Sequence, residues 1–327
     1  MRVAFYGPSQ ARCGVCVTST LFAYGLSQLS YGFTWATNAC PSQRAVQYDP
    51  LISGVKRILR FRRPDTEYAP VNEKWMDLKC SEEMRDAPLG SGDVLLLDYS
   101  ASVILPATAN YVTKAAKIAD VSVGVRLHSQ LLQQLSLDYV DTMFLPFPRD
   151  EAEGLRDNEL PTGRRYVTVP HPSAPRVQVD VERDLVIGLG SSQRMPHAFV
   201  AECAAEVGAR YEAIDGSGGW TGIEELVRSL SRAAVIVLYY GPITGVGRSS
   251  ALQVALAAGR PIVCSDCVFL REAERWGGVA DEAGLTDAIR RALARGGRAS
   301  GAQEVWYDGC QPEAVAQQMT STLIWPG

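Results

Sequence analysis

The sequence predicts an α/β protein made of two doubly wound, Rossmann-like domains. Three observations lead there. Short apolar strands alternate with helical stripes along the chain, the pattern of a parallel sheet covered on both faces. Pro170-His171-Pro172-Ser173-Ala174-Pro175 breaks that pattern, because three prolines in six residues continue neither a helix nor a central strand. A fresh strand–loop–helix unit then starts at Leu185. Domains are expected at 1–177 and 178–308, with a C-terminal helix in 309–327 crossing back to the first domain. The strand ends of the two domains are expected to face each other across a cleft.

Val3 to Tyr6 reads as the first strand. The loop Gly7 to Gly14 leads to a helix with Phe22, Leu26 and Leu29 on one stripe. Phe33 to Ala36 and Val94 to Leu97 read as strands, the latter after a Gly-Asp turn. Tyr111 to Ile118 is helical, and Val121 to Leu127 is a strand ending at His128. Phe144 to Phe147 and Tyr166 to Val169 complete the first half. In the second, Leu185 to Leu189 is a strand, Gly190 to Pro196 a loop, and Phe199 to Val207 a helix. A helix carrying Leu226, Leu230 and Ala234 precedes the strand Val235 to Tyr240. Ala251 to Ala258 is a small-residue helix stopped by Gly259-Arg260-Pro261, and Ile262 to Cys264 is a strand. Val315, Met319 and Leu323 form one stripe of the last helix.

The bulk numbers narrow the function. The chain has 327 residues, 46% of them hydrophobic, enough for two cores. A formal net charge of -4 gives no global field for nucleic acid or an acidic membrane. No uninterrupted apolar stretch is long enough to cross a bilayer, and the start reads as a strand, not a signal peptide, so a cytoplasmic protein is expected. Eight cysteines in a chain of this size do not suggest a disulfide scaffold. Two Cys-x-x-Cys pairs, Cys13/Cys16 and Cys264/Cys267, offer four thiolates to zinc if the halves meet; the plainer reading is small buried or loop thiols. Lys56 to Arg63 interleaves cations with Ile58, Leu59 and Phe61. It fits an anionic polymer, DNA or lipid head groups, and fits better a solvated loop or short amphipathic helix.

The most informative stretch is Gly241-Pro242-Ile243-Thr244-Gly245-Val246-Gly247-Arg248-Ser249-Ser250, which is turn and cap chemistry opening a helix. It offers backbone N–H groups, two hydroxyls and an arginine to an anion, most naturally a phosphate or diphosphate. Ligands of doubly wound sheets sit beyond the carboxyl ends of the strands. Four segments map to that edge: Gly7 to Gly14, His128, Gly190 to Arg194, and Gly245 to Ser250. No Gly-x-Gly-x-x-Gly follows the first strand and no P-loop is present, which argues against a dinucleotide dehydrogenase and a nucleotide triphosphatase. Asp98, ending a strand, is a candidate general base or a turn cap.

With these segments the chain resembles the GT-B glycosyltransferases, especially the family-4-like group. Leu185-Val186-Ile187-Gly188-Leu189-Gly190 looks like that group's first C-domain strand and loop. Leu226 to Tyr240 looks like the helix and strand of its donor pocket, and Ala255 to Asp266 like the helix and strand that follow. Gly14 and its helix resemble the N-terminal glycine loop. The resemblance implies a nucleotide-diphosphate sugar held by the C-domain and a hydroxyl acceptor held by the N-domain. Ser249 and Ser250 would meet the diphosphate, Arg194 would neutralise it and Arg248 would assist, with Ser191, Gly245 and Gly247 completing the donor loops. His128 would lie by the donor sugar, and Ser9 and Gln10 by the acceptor. No metal or cofactor is implied beyond the donor as substrate, and no Asp-x-Asp motif lies near these loops. One departure stands out: the Glu-x7-Glu pair common in the family is replaced by Val246 and Val254. The acceptor remains open among a small metabolite, a glycan, a lipid carrier and modified DNA. A non-catalytic binding protein and a sugar-nucleotide epimerase are the alternative functions.

Overall fold

The computed structural model describes residues 1–7, 14–30, 32–37, 58–60, 89–99, 106–118, 120–127, 136–153, 164–190, 194–214, 223–241 and 247–324. The chain forms two compact units, Met1–Pro170 with Pro312–Gly327, and His171–Gln311.

The first unit begins with β1 (Arg2–Tyr6), α1 (Gly14–Gln28), β2 (Gly32–Thr37) and β3 (Ile58–Arg60). It continues with β4 (Val94–Tyr99), α2 (Pro106–Ile118), β5 (Ser122–Leu127), β6 (Thr142–Leu145), α3 (Arg149–Glu153) and β7 (Arg165–Thr168). The seven strands are all parallel, in the order β3-β2-β1-β4-β5-β6-β7. The aliphatic run of β4 is buried from end to end, as a central parallel strand requires. Asp93 ties the start of β1 to that of β4, because its carboxylate accepts from the Arg2 amide at 2.7 Å, from the Arg2 guanidinium and from the Gly90 amide at 3.0 Å. Burial would raise its pKa, but the Arg2 hydrogen bonds and charge outweigh that and lower it. Within the basic segment, Ile58–Arg60 is an edge strand paired to β2, not a loop or a helix; its other residues lie outside those described.

The second unit holds β8 (Glu182–Leu189), α4 (His197–Glu206), β9 (Arg210–Ile214), α5 (Ile223–Ser231), β10 (Ala233–Leu238) and α6 (Ser250–Ala257). Then come β11 (Ile262–Ser265), a 3-10 segment (Val268–Trp276), β12 (Val279–Ala280), α7 (Leu285–Leu293) and α8 (Gly301–Gly309). Its five parallel strands run β12-β11-β10-β8-β9. Helix α5 stops at Ser231, so Ala234 belongs to β10 and not to the helical stripe. The Ser231 hydroxyl bonds back to the Val227 carbonyl at 2.8 Å, while Arg260 Nε takes the Ser231 carbonyl at 2.7 Å.

The proline-rich connection is not a solvated linker. His171, Ser173 and Ala174 are buried in the second unit. The Ser173 amide donates to the Cys310 carbonyl at 2.6 Å, its hydroxyl donates to the Gln253 carbonyl, and the Tyr307 hydroxyl donates to the Ala174 carbonyl at 3.2 Å. Proline excludes regular elements but not burial, provided the neighbouring polar groups find partners.

The last helix, α9 (Pro312–Ile324), packs on α1 and the first sheet. Val315, Met319 and Leu323 join Val3, Phe5, Phe22, Leu26, Leu96 and Phe144 in one core cluster. Glycine at 25 permits the approach, because a Cβ there would strike the Pro312 carbonyl. Gly124 does the same deeper down, where a Cβ would come within 2.7 Å of Phe144 and 2.8 Å of Leu323. No helix among the described residues is long and apolar enough to cross a membrane.

Candidate functional site

Strand order in the second sheet reverses between β8 and β10. The helices leaving these strands go to opposite faces: α4 packs with α7, and α6 with α5. A crevice opens at such a reversal, at the carboxyl ends of the strands. Gly190 ends β8, and Tyr240 and Gly241 follow β10. The two ends touch closely. A Cβ on Gly190 would lie 2.8 Å from the Tyr240 ring and 3.2 Å from Met195, so only glycine fits. The Gly241 amide donates to the Arg194 carbonyl at 3.1 Å.

Tyr240 is the centre of this arrangement. Ser265, at the end of β11, accepts from the Tyr240 amide and donates to its carbonyl, both at 2.9 Å, which fixes the backbone. The ring is buried, and its hydroxyl is hydrogen-bonded to Ser249. Burial pushes the phenol pKa up to about 12, with the Ser249 hydrogen bond and the Arg194 charge pulling the other way. Tyr240 therefore stays neutral, with Ser249 hydrogen-bonded to it. Arg194 itself is exposed. Ser249 is the N-cap of α6, and its amide donates to the Phe269 carbonyl at 2.9 Å. Among the described residues the Ser249 side chain makes no capping hydrogen bond to α6.

Arg248 takes a different part from the one its sequence position suggests. Its Nη1 donates to the Gly247 carbonyl at 2.9 Å and the Val268 carbonyl at 3.2 Å. Its Nε lies 3.9 Å from Glu272 in an ion pair whose side chains are 3% and 4% exposed. Glu272 in turn accepts from Gln253 Nε2 at 2.6 Å. Arg248 thus clamps the 3-10 segment to the start of α6. Asp98 is engaged in a similar way. It lies opposite Arg126 in the β4–β5 register, and Arg126 Nε and Nη2 grip both carboxylate oxygens at 2.9 and 2.7 Å. A buried carboxylate held this way keeps the strands together and is poorly placed to take a proton.

Gly14 opens α1, and Gly247 is buried beside the Arg248 guanidinium. His128, Ser9, Gln10, Ser191 and Gly245 lie outside the described residues, as does Cys13. Cys264 and Cys267 are free, buried thiols, and burial pushes the Cys264 pKa up. Among the described residues no group of three His, Cys, Asp or Glu side chains is disposed to hold a metal ion.

Sequence reading missed Tyr240 as more than a strand residue, and it missed Ser265, Glu272 and the whole 3-10 segment. The signals were present. A tyrosine ending an aliphatic strand needs a partner for its hydroxyl. Leu270, Ala273 and Trp276 recur every third residue, the period of a 3-10 helix, and all three are buried.

No protein-family model matches the sequence, and no curated protein matches it. Solved structures do. Sucrose-phosphate synthase from Thermosynechococcus elongatus matches over 98% of both chains, with a TM-score of 0.64 at 14% identity. The E. coli trehalose-6-phosphate protein bound with UDP-2-fluoro glucose matches over 99% of both, with a TM-score of 0.59 at 13% identity. The chain has the GT-B fold. A UDP-N-acetylglucosamine 2-epimerase matches over 99% of this chain and 96% of its own, with a TM-score of 0.58 at 12% identity. The GT-B fold is thus shared here by enzymes of two reaction classes, and chemistry has to be argued from the site.

Proposed function

We propose that this protein is a glycosyltransferase that takes its sugar from a nucleotide-diphosphate donor bound by the second unit. One observation carries the reading: at the strand-order reversal the exposed Arg194 is tied through its carbonyl to the Gly241 amide, and the Tyr240 hydroxyl is hydrogen-bonded to Ser249, the N-cap of α6. Breaking the glycosidic bond leaves negative charge on the diphosphate. A preorganised guanidinium and aligned helix amides stabilise that charge where it develops. Neither contribution needs a metal ion. Tyr240 and Ser265 hold the strand end in place, and Arg248, Gln253 and Glu272 hold the start of α6. Ser250 and Ser191 belong to the same donor set. The first unit would hold the hydroxyl acceptor through Ser9, Gln10 and the loop before Gly14, with His128 by the transferred sugar. An anionic acceptor at Lys56 to Arg63 is one of the options.

Thermal shift against UDP, GDP and ADP, followed by a donor-hydrolysis assay with the matching nucleotide sugar, tests this directly, since a ligand selective for the native state raises the melting temperature. Protection with release of the nucleotide diphosphate is expected. Protection without turnover would instead support a non-catalytic binder, the reading favoured by valines at 246 and 254. An isomerised nucleotide sugar would support epimerisation, the reading favoured by the structural match to the 2-epimerase. Absence of binding to any nucleotide diphosphate would end the proposal.

A further inference from the structure

Gly190 and Met195, described residues before and after Arg194, are both held by His197. The His197 amide donates to the Met195 carbonyl at 2.9 Å. Its ring Nε2 lies 2.9 Å from the Gly190 carbonyl, and its Nδ1 lies 2.6 Å from the Tyr211 hydroxyl. A carbonyl only accepts, so Nε2 carries the proton, and in the neutral ring Nδ1 accepts from the phenol. Tyr211 is a dependable donor, because burial pushes its pKa up and keeps it protonated. Its hydroxyl reaches the site only because residue 188 is glycine, where a Cβ would collide with it. Gly190 and Arg194 are held further: the Gly190 amide donates to the Ile214 carbonyl at 3.1 Å, and the Arg194 carbonyl accepts from the Gly241 amide at 3.1 Å.

We infer that His197 is a positioning residue for the anion site: oriented by Tyr211, its Nε2–H holds the Gly190 carbonyl while its amide holds the Met195 carbonyl, which fixes described residues before and after Arg194. The phenol chooses the tautomer, and the tautomer chooses the carbonyl. The inference rests on the reading that Arg194 meets a diphosphate. A histidine that only filled space would leave Arg194's contribution to binding untouched when removed; a positioning histidine would not.

The test is a double-mutant cycle on the full chain, with UDP, GDP and ADP affinities measured by calorimetry and unliganded melting temperatures taken alongside. His197→Ala should weaken the preferred nucleotide diphosphate about tenfold, in keeping with the loss of one hydrogen bond that orders a charged ligand-binding group. His197→Gln, which keeps an N–H for the Gly190 carbonyl, should recover most of that loss. Tyr211→Phe should weaken binding in the same direction but less, and serves if His197→Ala does not fold. In an Arg194→Ala background, His197→Ala should cost no further affinity. Equal losses in both backgrounds, or no rescue by glutamine, would overturn the inference. If the wild type binds none of the three nucleotides, the donor reading fails, and His197 is judged separately by NMR. The Gly190 and Arg194 amide signals should move in His197→Ala and return in His197→Gln; unmoved signals would refute the role.

Discussion

At the strand-order reversal of the first sheet, between β1 and β4, the neighbouring pair β4–β5 carries Asp98 and Arg126 face to face, 0% and 2% exposed. The Arg126 guanidinium also lies 5.3 Å from the centre of the Phe22 ring on α1. At the reversal of the second sheet, between β8 and β10, the arginine is Arg194, exposed on a turn and anchored through its backbone alone in the contacts described above. The same topology therefore uses arginine in two ways. Arg126 is turned inward, its charge matched within the sheet, and it knits strands and helix. Arg194 keeps its charge at the edge where a ligand would arrive. Arg248 stands in the loop most suggestive of phosphate binding, yet it behaves like Arg126: buried, paired with an acid, bonded to carbonyls. Two arginines in one unit, each beside a strand end, thus differ in burial and in charge pairing.

That contrast can be broken by substitution. The largest effect is expected for Asp98→Ala, which leaves a buried guanidinium without its counter-charge and should destabilise the first unit by about 3–5 kcal/mol. Urea unfolding reads it. If Asp98→Asn keeps full stability but abolishes turnover, the carboxylate is catalytic after all. Arg194→Ala should do the opposite, cutting turnover by about 10²–10³-fold with the melting temperature unchanged, the size expected for losing one preorganised charge. Arg248→Ala should act mainly through stability, costing about 1–3 kcal/mol in the second unit because Glu272 and two carbonyls lose a partner. A large fall in turnover with stability intact would restore Arg248 to the ligand. Gly190→Ala should cost about 1–3 kcal/mol as Tyr240 is pushed aside, with weaker nucleotide binding, whereas an unaffected variant would mean that the two strand ends are looser than they look.

The smallest effect is a pH dependence. Cys264, Cys310, Tyr211 and Tyr240 in the second unit all have pKa values raised by burial. Raised values mean that the native state holds these protons longer than the unfolded chain does. Their contribution is full below the unfolded pKa values and declines as pH climbs from about 9, continuing to about 12 for Tyr240. Tyr99 in the first unit is raised by burial too. Stability followed against pH should therefore fall above about 9. A stability that rose above that pH would contradict the burial argument.

The fold was largely legible because it rests on local signals. The aliphatic runs of β1, β4, β8 and β10, the helix stop at Gly259-Arg260-Pro261 and the prolines at the crossing each announce themselves in a few residues. Short or polar elements were not. Strand β9 begins Arg-Tyr-Glu and lies at a sheet edge, and Ile58–Arg60 hides among cations, so neither shows an apolar strand pattern. The site was legible only in part. Sequence singled out Ser249 and Ser250, since cap chemistry is local, and Ser249 is the N-cap of α6. It did not tell Arg248 from Arg194, because that difference lies in Glu272 and the Val268 carbonyl, some twenty residues further along and brought back by the fold. The partner of Asp98 was hidden for the same reason, since Arg126 lies across a strand ladder.

The hydrogen bond from Ser173 to Cys310 has a consequence for how the protein is made. The second unit's entrance and exit are held side by side, so it can close as soon as its own residues have left the ribosome. The first unit begins earlier and finishes later. Until Pro312–Ile324 has been synthesised, Phe22, Leu26 and Leu96 lack the cover of Val315, Met319 and Leu323. The half that starts first is therefore completed last, and a chain cut after Gln311 would hold a finished second unit beside a first unit still missing its lid of apolar side chains.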